Sequence, residues 1–204
     1  MPRHWGIAMF GYPKMLKIPF GENINLKFNG SLRDYQTNVL NEYLKAIDFG
    51  VSDDKNKGNG SALIELWTGA GKTVLGLKII EVLKKKTIIF VHKTFLKNQW
   101  IERIQQYLPN ARIGSIQGQN IDIDSKDIVL AMIQSVSMKT YNDTLFDSFG
   151  LSIYDECHHM SSEVFCNCLK KCNTLYGLGL SATMNRKDGL TNVFKMYLGD
   201  ICYK

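Results

Sequence analysis

Gly71, Lys72 and Thr73 close the stretch Thr68-Gly69-Ala70-Gly71-Lys72-Thr73, whose residue types and spacing suit the capture of a polyphosphate. In such a turn several backbone N–H groups converge on phosphate oxygens, and the N-terminus of the helix that follows adds its partial positive charge. Gly69 and Gly71 admit backbone angles closed to other residues and let the chain approach the phosphates. Lys72 would reach the β- and γ-phosphates of a nucleotide, and the Thr73 hydroxyl would ligate Mg²⁺. One position is out of pattern. The common form G-x-x-x-x-G-K-[ST] calls for a small residue at 66, where this chain has Leu66. Taken alone, the stretch could be a glycine-rich turn that caps a helix and leaves Lys72 solvated. The apolar run before it and the helical pattern after it favour the phosphate loop.

A nucleotide held with Mg²⁺ needs a second carboxylate at the end of another strand. The apolar run Ser152-Ile153-Tyr154 ends in Asp155 and Glu156. Asp155 would hold the metal through its water shell, and Glu156 would orient and deprotonate an attacking water. Acidic pairs also end ordinary strands, so this pair draws its weight from the loop at 69–73.

The elements that must position these groups follow a recurring unit. A short β-branched run leads into a helical pattern, as 61–66 leads into 72–86, where Leu75, Ile79, Val82 and Leu83 recur at helical spacing. Lys84, Lys85 and Lys86 would complement the C-terminal dipole of that helix. Residues 87–91 read as a strand, and 95–108 as its helix, stopped by Pro109. Runs at 112–116, 127–133, 151–156 and 176–182 read as further strands. Strands rich in Ile, Val and Leu without polar alternation, separated by helices, imply a parallel sheet covered on both faces. The polar stretch 51–60 reads as an exposed loop. The fold class is therefore α/β: a three-layer P-loop domain with a mostly parallel central sheet, preceded by an N-terminal extension over 1–30.

Composition agrees. The 204 residues are 45% hydrophobic, enough for one compact core. No run of about 18 apolar residues suggests a membrane span, and the N-terminus lacks the apolar core of a secretory signal. Five cysteines, an odd number beside an ample core, favour reduced thiols in an intracellular, cytoplasmic or nuclear compartment. A formal charge of +6 suits a polyanionic partner. Cys166, Cys168 and Cys172, near His158 and His159, invite a zinc reading, but they lack a C-x-x-C clamp, and one helix would point Cys166 and Cys168 in different directions.

In order, TGAGKT (68–73), DECHH (155–159) and Ser181-Ala182-Thr183 resemble the first RecA-like lobe of a superfamily 2 DExH-box helicase. In that family the loop is often written T-G-x-G-K-T, which makes Leu66 a variant and not damage. Further segments, over roughly residues 31–200, fall into register. LRDYQ (32–36) is similar to the L-R-x-Y-Q element, which implies that Gln36 bonds the adenine edge and Arg33 supports that pocket. FVHKTFLKNQW (90–100) resembles a motif that touches nucleic-acid backbone, and AMIQSV (131–136) a second one. By that likeness Lys93, Thr94, Gln134 and Ser135 are nucleic-acid contacts. The likeness also gives Ser181, Thr183 and His158 a coupling role. It departs at Met184, where a proline is usual. The resemblance implies ATP and Mg²⁺ as cofactors, DNA or RNA as partner, and an ATP-binding lobe over 31–204. It implies as well a second RecA-like lobe of the same protein, for which no residues follow Lys204 here. The competing reading is a stand-alone P-loop nucleotide-binding regulatory module without motor activity. A small kinase would need a lid and its own catalytic arginines, and neither is evident.

Overall fold

A computed structural model describes residues 1–14, 17–49, 60–142, 144–156, 162–183 and 190–204. Among these, eight strands form one sheet. They are β1 (Ser61–Glu65), β2 (Thr87–Val91), β3 (Ile113–Gln117), β4 (Asn120–Asp122), β5 (Ile128–Met132), β6 (Leu151–Asp155), β7 (Tyr176–Ser181) and β8 (Ile201–Tyr203). Their order is β4-β3-β5-β2-β6-β7-β1-β8. Every pairing is parallel except that of β3 with β4. All five residues of β2 and of β6 are buried, as a sheet covered on both faces demands.

Successive residues of each strand feed two separate cores. Ile64, Ile89, Leu130, Ile153 and Leu178 point to one face, where α2 (Asp34–Ala46), α3 (Lys72–Leu83) and α4 (Thr94–Tyr107) pack through Val39, Tyr43, Leu75, Ile79, Trp100 and Ile104. Leu63, Ile88, Phe90, Val129 and Tyr154 point to the other. There α5 (Ile133–Met138), α6 (Ser162–Lys171) and α7 (Leu190–Leu198) supply Val136, Phe165, Cys168 and Phe194. A short α1 (Arg3–Phe10) packs on α7. The three layers expected from the sequence are present.

Several elements differ from the sequence reading, for local reasons. Helix α3 stops at Leu83 because Lys84 adopts a left-handed conformation (φ 53°). The three lysines after it are not a dipole-capping cluster: Lys85 donates to Asn23 Oδ1 at 2.8 Å, and buried Lys86 pairs with Glu22 at 3.1 Å. The run 127–133 is cut short as β5 passes directly into α5. The N-terminal extension packs on the lobe through its last part. Ile24, Leu26 and Phe28 are buried in the α2–α3–α4 core. Backbone bonds from Ile24 N to Lys84 O (3.0 Å) and from Asn29 N to Tyr107 O (2.7 Å) fix that segment across α3 and α4.

Candidate functional site

Parallel strands end on a common edge, and the candidate residues gather at the carboxyl ends of β1 and β6. Between β1 and α3 the chain turns through Gly69 (φ 86°) and Gly71 (φ 74°), left-handed angles that a β-carbon penalises. Gly71 has a second reason to be glycine: a Cβ there would lie 2.7 Å from Gln36 Nε2. Leu66, the residue out of pattern, is 1% exposed and belongs to the core. Its N–H donates to Ser181 O at 2.9 Å, and its carbonyl accepts from Lys72 Nζ at 3.2 Å. A side chain at 66 faces inward, away from the loop concavity, so its size does not obstruct phosphates.

Lys72 opens α3 at 9% exposure, with Nζ also 3.2 Å from Glu156 Oε1. Glu156 follows β6 at φ 49°, a conformation costing a non-glycine residue on the order of 1 kcal/mol. Strain of this kind persists where the surroundings require it, and here it turns Glu156 toward Lys72. Asp155, the last residue of β6, is buried, and its Oδ2 accepts from Trp100 Nε1 at 2.8 Å. Burial pushes the Asp155 carboxyl up to about 6, against the opposing pull of the Trp100 bond and of Lys72. Trp100 was visible in the sequence only as the end of a motif. Its partnership with Asp155 spans 55 positions and no local pattern signals it.

A cleft of about 550 Å³ unites Thr68, Gly69, Gly71, Lys72, Thr73, Asp155 and Glu156 with Arg33 at its margin. That volume lies within the range of small-molecule sites. Hydroxyl and carboxylate oxygens of Thr73, Asp155 and Glu156 in one cleft are hard donors of the kind Mg²⁺ accepts. Ala70, fully buried, turns its carbonyl to Tyr35 Oη (2.7 Å) and Gln36 Nε2 (3.1 Å). Gln36, at the start of α2, also reaches the loop. It is 3% exposed, its Oε1 accepts from Arg33 N at 3.0 Å, and its Nε2 also donates to Gly71 O at 3.3 Å. The amide ties the start of α2 to the loop.

The proposed coupling residues lie one strand from the loop. Ser181, at the end of β7, is buried, donates to Thr183 O at 2.8 Å and accepts from Thr183 N at 3.2 Å. His158 and Met184 lie outside the described residues. The four nucleic-acid candidates come together on the same sheet edge. Lys93 caps α4 and Thr94 opens it, while Gln134 and Ser135 start α5. Gln134 Nε2 donates to His92 O at 3.3 Å, and Ser135 Oγ accepts from Gly118 N at 3.0 Å. Phe95 beside them is exposed, with Lys93 Nζ 5.8 Å from its ring centre.

Cys168 and Cys172 are buried in the α5–α6–α7 core, and Cys168 Sγ donates to Ile133 O at 3.2 Å. Burial raises both thiols, that of Cys168 to about 12. Among the described residues no cluster of three His, Cys, Asp or Glu side chains could hold a metal. Nor is any described helix long and apolar enough to cross a membrane.

The sequence profile of the family described as "Type III restriction enzyme, res subunit" matches residues 29–186. L396 of Acanthamoeba polyphaga mimivirus, which carries a provisional name as an ATP-dependent RNA helicase, is 31% identical over 205 residues, covering 100% of this chain and 38% of that protein. The DNA 3'-5' translocase XPB2 of Sulfurisphaera tokodaii is 34% identical over 173 residues, covering 85% of this chain and 35% of that one. The chain therefore spans little more than a third of the length of these relatives. In structure it resembles the UvsW helicase of bacteriophage T4 with a TM-score of 0.68 at 20% identity, over 90% of this chain and 64% of that one. This likeness identifies the sheet as the RecA-like fold. The chain belongs to the Type III restriction enzyme res-subunit family of superfamily 2 helicases, and is its N-terminal RecA-like lobe.

Proposed function

We propose that this lobe binds ATP with Mg²⁺ and that, within a longer protein, it hydrolyses the nucleotide to move along or unwind DNA or RNA. The observation that carries the reading is the meeting of Lys72, Thr73, Asp155 and Glu156 in one cleft, beside a loop whose Ala70 carbonyl accepts from Tyr35 and Gln36. The backbone N–H groups of 69–73 bind the phosphates, and Lys72 exchanges its contact with Glu156 for γ-phosphate oxygen. That exchange releases Glu156 to orient a water and take its proton as the water oxygen bonds to the γ-phosphorus. The bond to the bridging oxygen breaks, leaving ADP and inorganic phosphate. When bound, Mg²⁺ neutralises charge on the β- and γ-oxygens, and Thr73 and Asp155 are the residues that would hold it. Ser181 and Thr183, bonded to one another and through Ser181 O to Leu66, would report the state of the loop to β7. The strip of Lys93, Thr94, Gln134 and Ser135 is the candidate nucleic-acid track. The two relatives are named one for RNA and one for DNA, and the backbone of either could meet such a strip.

Calorimetric titration with Mg–ADP tests the site. Lys72→Ala should remove binding while leaving the circular dichroism spectrum intact, and unchanged affinity would sink the assignment. Glu156→Gln should keep ATP binding and, in the full-length protein, lose most hydrolysis.

A further inference from the structure

The opposite edge of the sheet, where the parallel strands begin, carries a groove that the nucleotide site does not use. Three hollows of about 360, 200 and 510 Å³ adjoin there, since the first two share Arg3 and Ile18 and the last two share Lys170 and Asn173. Ser61, first in β1, and Thr174, just before β7, line the middle one. We propose that this groove binds a single strand of nucleic acid, with its phosphates on Arg3, Lys17 and Lys170 and its unpaired bases on Phe10 and Tyr12. It is a second site, apart from the strip of Lys93, Thr94, Gln134 and Ser135 at the carboxyl ends of the strands. Five-residue strands at about 3.3 Å per residue put the two edges on the order of 17 Å apart. The inference goes beyond the nucleotide reading and is tested separately from it.

Charge comes first. Among the described residues that line the groove, Arg3, Lys17, Lys170 and Lys171 stand against a single carboxylate, Asp147, whereas the whole chain has 25 Lys and Arg against 19 Asp and Glu. That local excess suits a polyanion. Lys171 is already engaged: its Nζ donates to the carbonyls of Val136 (2.9 Å), Ser137 (2.7 Å) and Lys139 (2.7 Å) at the end of α5. Lys17 and Lys170 are exposed. Arg3 is built into the wall. Its Nη1 donates to Leu175 O at 3.1 Å, and Gly60, at φ 62°, lies so close that a Cβ there would come within 2.6 Å of both Nη atoms. Burial holds this guanidinium below its ordinary value, so a phosphate beside it would offset the cost of a desolvated charge. Thr140, Asn142 and Asn173 add exposed hydroxyl and amide groups of the kinds that bond phosphate oxygens. The apolar end then selects the kind of polyanion. Phe10 is 71% and Tyr12 49% exposed, and Trp5 meets the Phe10 ring edge-on at 5.9 Å. Such rings stack on unpaired bases of any sequence, while the bases of a duplex are already stacked on one another. An acidic peptide would match the charge and leave the rings unused.

Fluorescence anisotropy tests the groove, with a labelled oligothymidylate of about twelve nucleotides as probe, single-stranded or annealed to its complement. Lys17→Glu with Lys170→Glu should weaken single-strand binding about tenfold or more, and lower the slope of log affinity against log salt by about 1.4, the share of two phosphates. Phe10→Ala with Tyr12→Ala should weaken it about five- to a hundredfold, leave that slope unchanged and have no effect on the duplex. Mg–ADP affinity should keep its wild-type value in both groove variants, which shows them folded. Wild-type affinity and slope in Lys17→Glu with Lys170→Glu would overturn the inference. So would a polyglutamate peptide that binds the chain and loses affinity in Phe10→Ala with Tyr12→Ala, the mark of a site for an acidic protein. Losses in the groove variants, with none in Lys93→Ala combined with Gln134→Ala, would uphold the groove and strike the strip from the function proposed above.

Discussion

At the scale of single residues, the site is held by contacts that leave little slack. Trp100 bonds the buried Asp155 with its indole N–H and lays its ring on α3 at Gly76, where a Cβ would come within 2.9 Å of Cη2. The indole ring is rigid and enclosed, so the neighbour cannot give way cheaply. Gly76→Ala should therefore destabilise the fold by about 1–2 kcal/mol, overpacking exceeding the gain in helix propensity. Trp100→Phe should cost about 2–3 kcal/mol, because it leaves a buried carboxylate without its donor and opens a void. The two effects are coupled through the same atoms. In the Trp100→Phe background, Gly76→Ala should be neutral or stabilising, and a double-mutant cycle in urea would show it. Additive losses would mean that the ring does not press on the helix.

At the scale of elements, β3 and β5 are clamped where both begin. Asp127, just before β5, accepts from Arg112 N (2.8 Å), Nε (3.0 Å) and Nη2 (2.7 Å), just before β3. The Arg112 hydrogen bonds hold the Asp127 carboxyl below its ordinary value, against a smaller opposing effect of burial. A carboxyl depressed in the folded state contributes stability above its unfolded value of about 4, and that contribution is lost as pH falls through the folded value. Asp127→Asn should then lower the melting temperature by about 2–4 °C at neutral pH. The two melting curves should converge as pH falls through the folded value. A gap that persists in acid would place the effect in packing and not in charge. The N-terminal segment acts at the same scale. Ile24, Leu26 and Phe28 bind it to α3 and α4, and so fix the position of Tyr107 at the end of the cleft.

At the scale of the molecule, the chain spans 38% and 35% of the two relatives that it matches over most of its length. If the charge developing on the γ-phosphate is met by an arginine from a second lobe, that group is worth about 10³–10⁵ in rate. This chain by itself should then bind nucleotide yet turn it over near background, with no response to added DNA or RNA. Its few phosphate contacts should bind nucleic acid weakly and fade as salt rises. Turnover measured across protein concentration, with sedimentation on the same samples, checks this. Strong stimulation by nucleic acid in a monomer would refute the one-lobe account.

Much of the architecture was legible in the sequence because it is governed by local rules. The apolar runs of β1, β2, β5 and β6, the helical spacing of Leu75, Ile79 and Leu83, and the glycines at 69 and 71 state requirements that neighbouring residues satisfy among themselves. Hence the loop, the acidic pair and the layered α/β class could be read directly. The tertiary structure decided the rest, through contacts between residues far apart in the chain. Nothing near Gln36 says that its amide will be consumed by a loop 34 residues away, and nothing near Trp100 names Asp155 as its partner. Lys86 looks like a helix-capping cation until the segment holding Glu22 is folded over it. Side-chain partners at such separations are chosen by packing, which hydrophobic period and residue type constrain only to a face. That freedom is why the loop and the acidic pair could be read from the sequence, and why the α4 wall beside them could not.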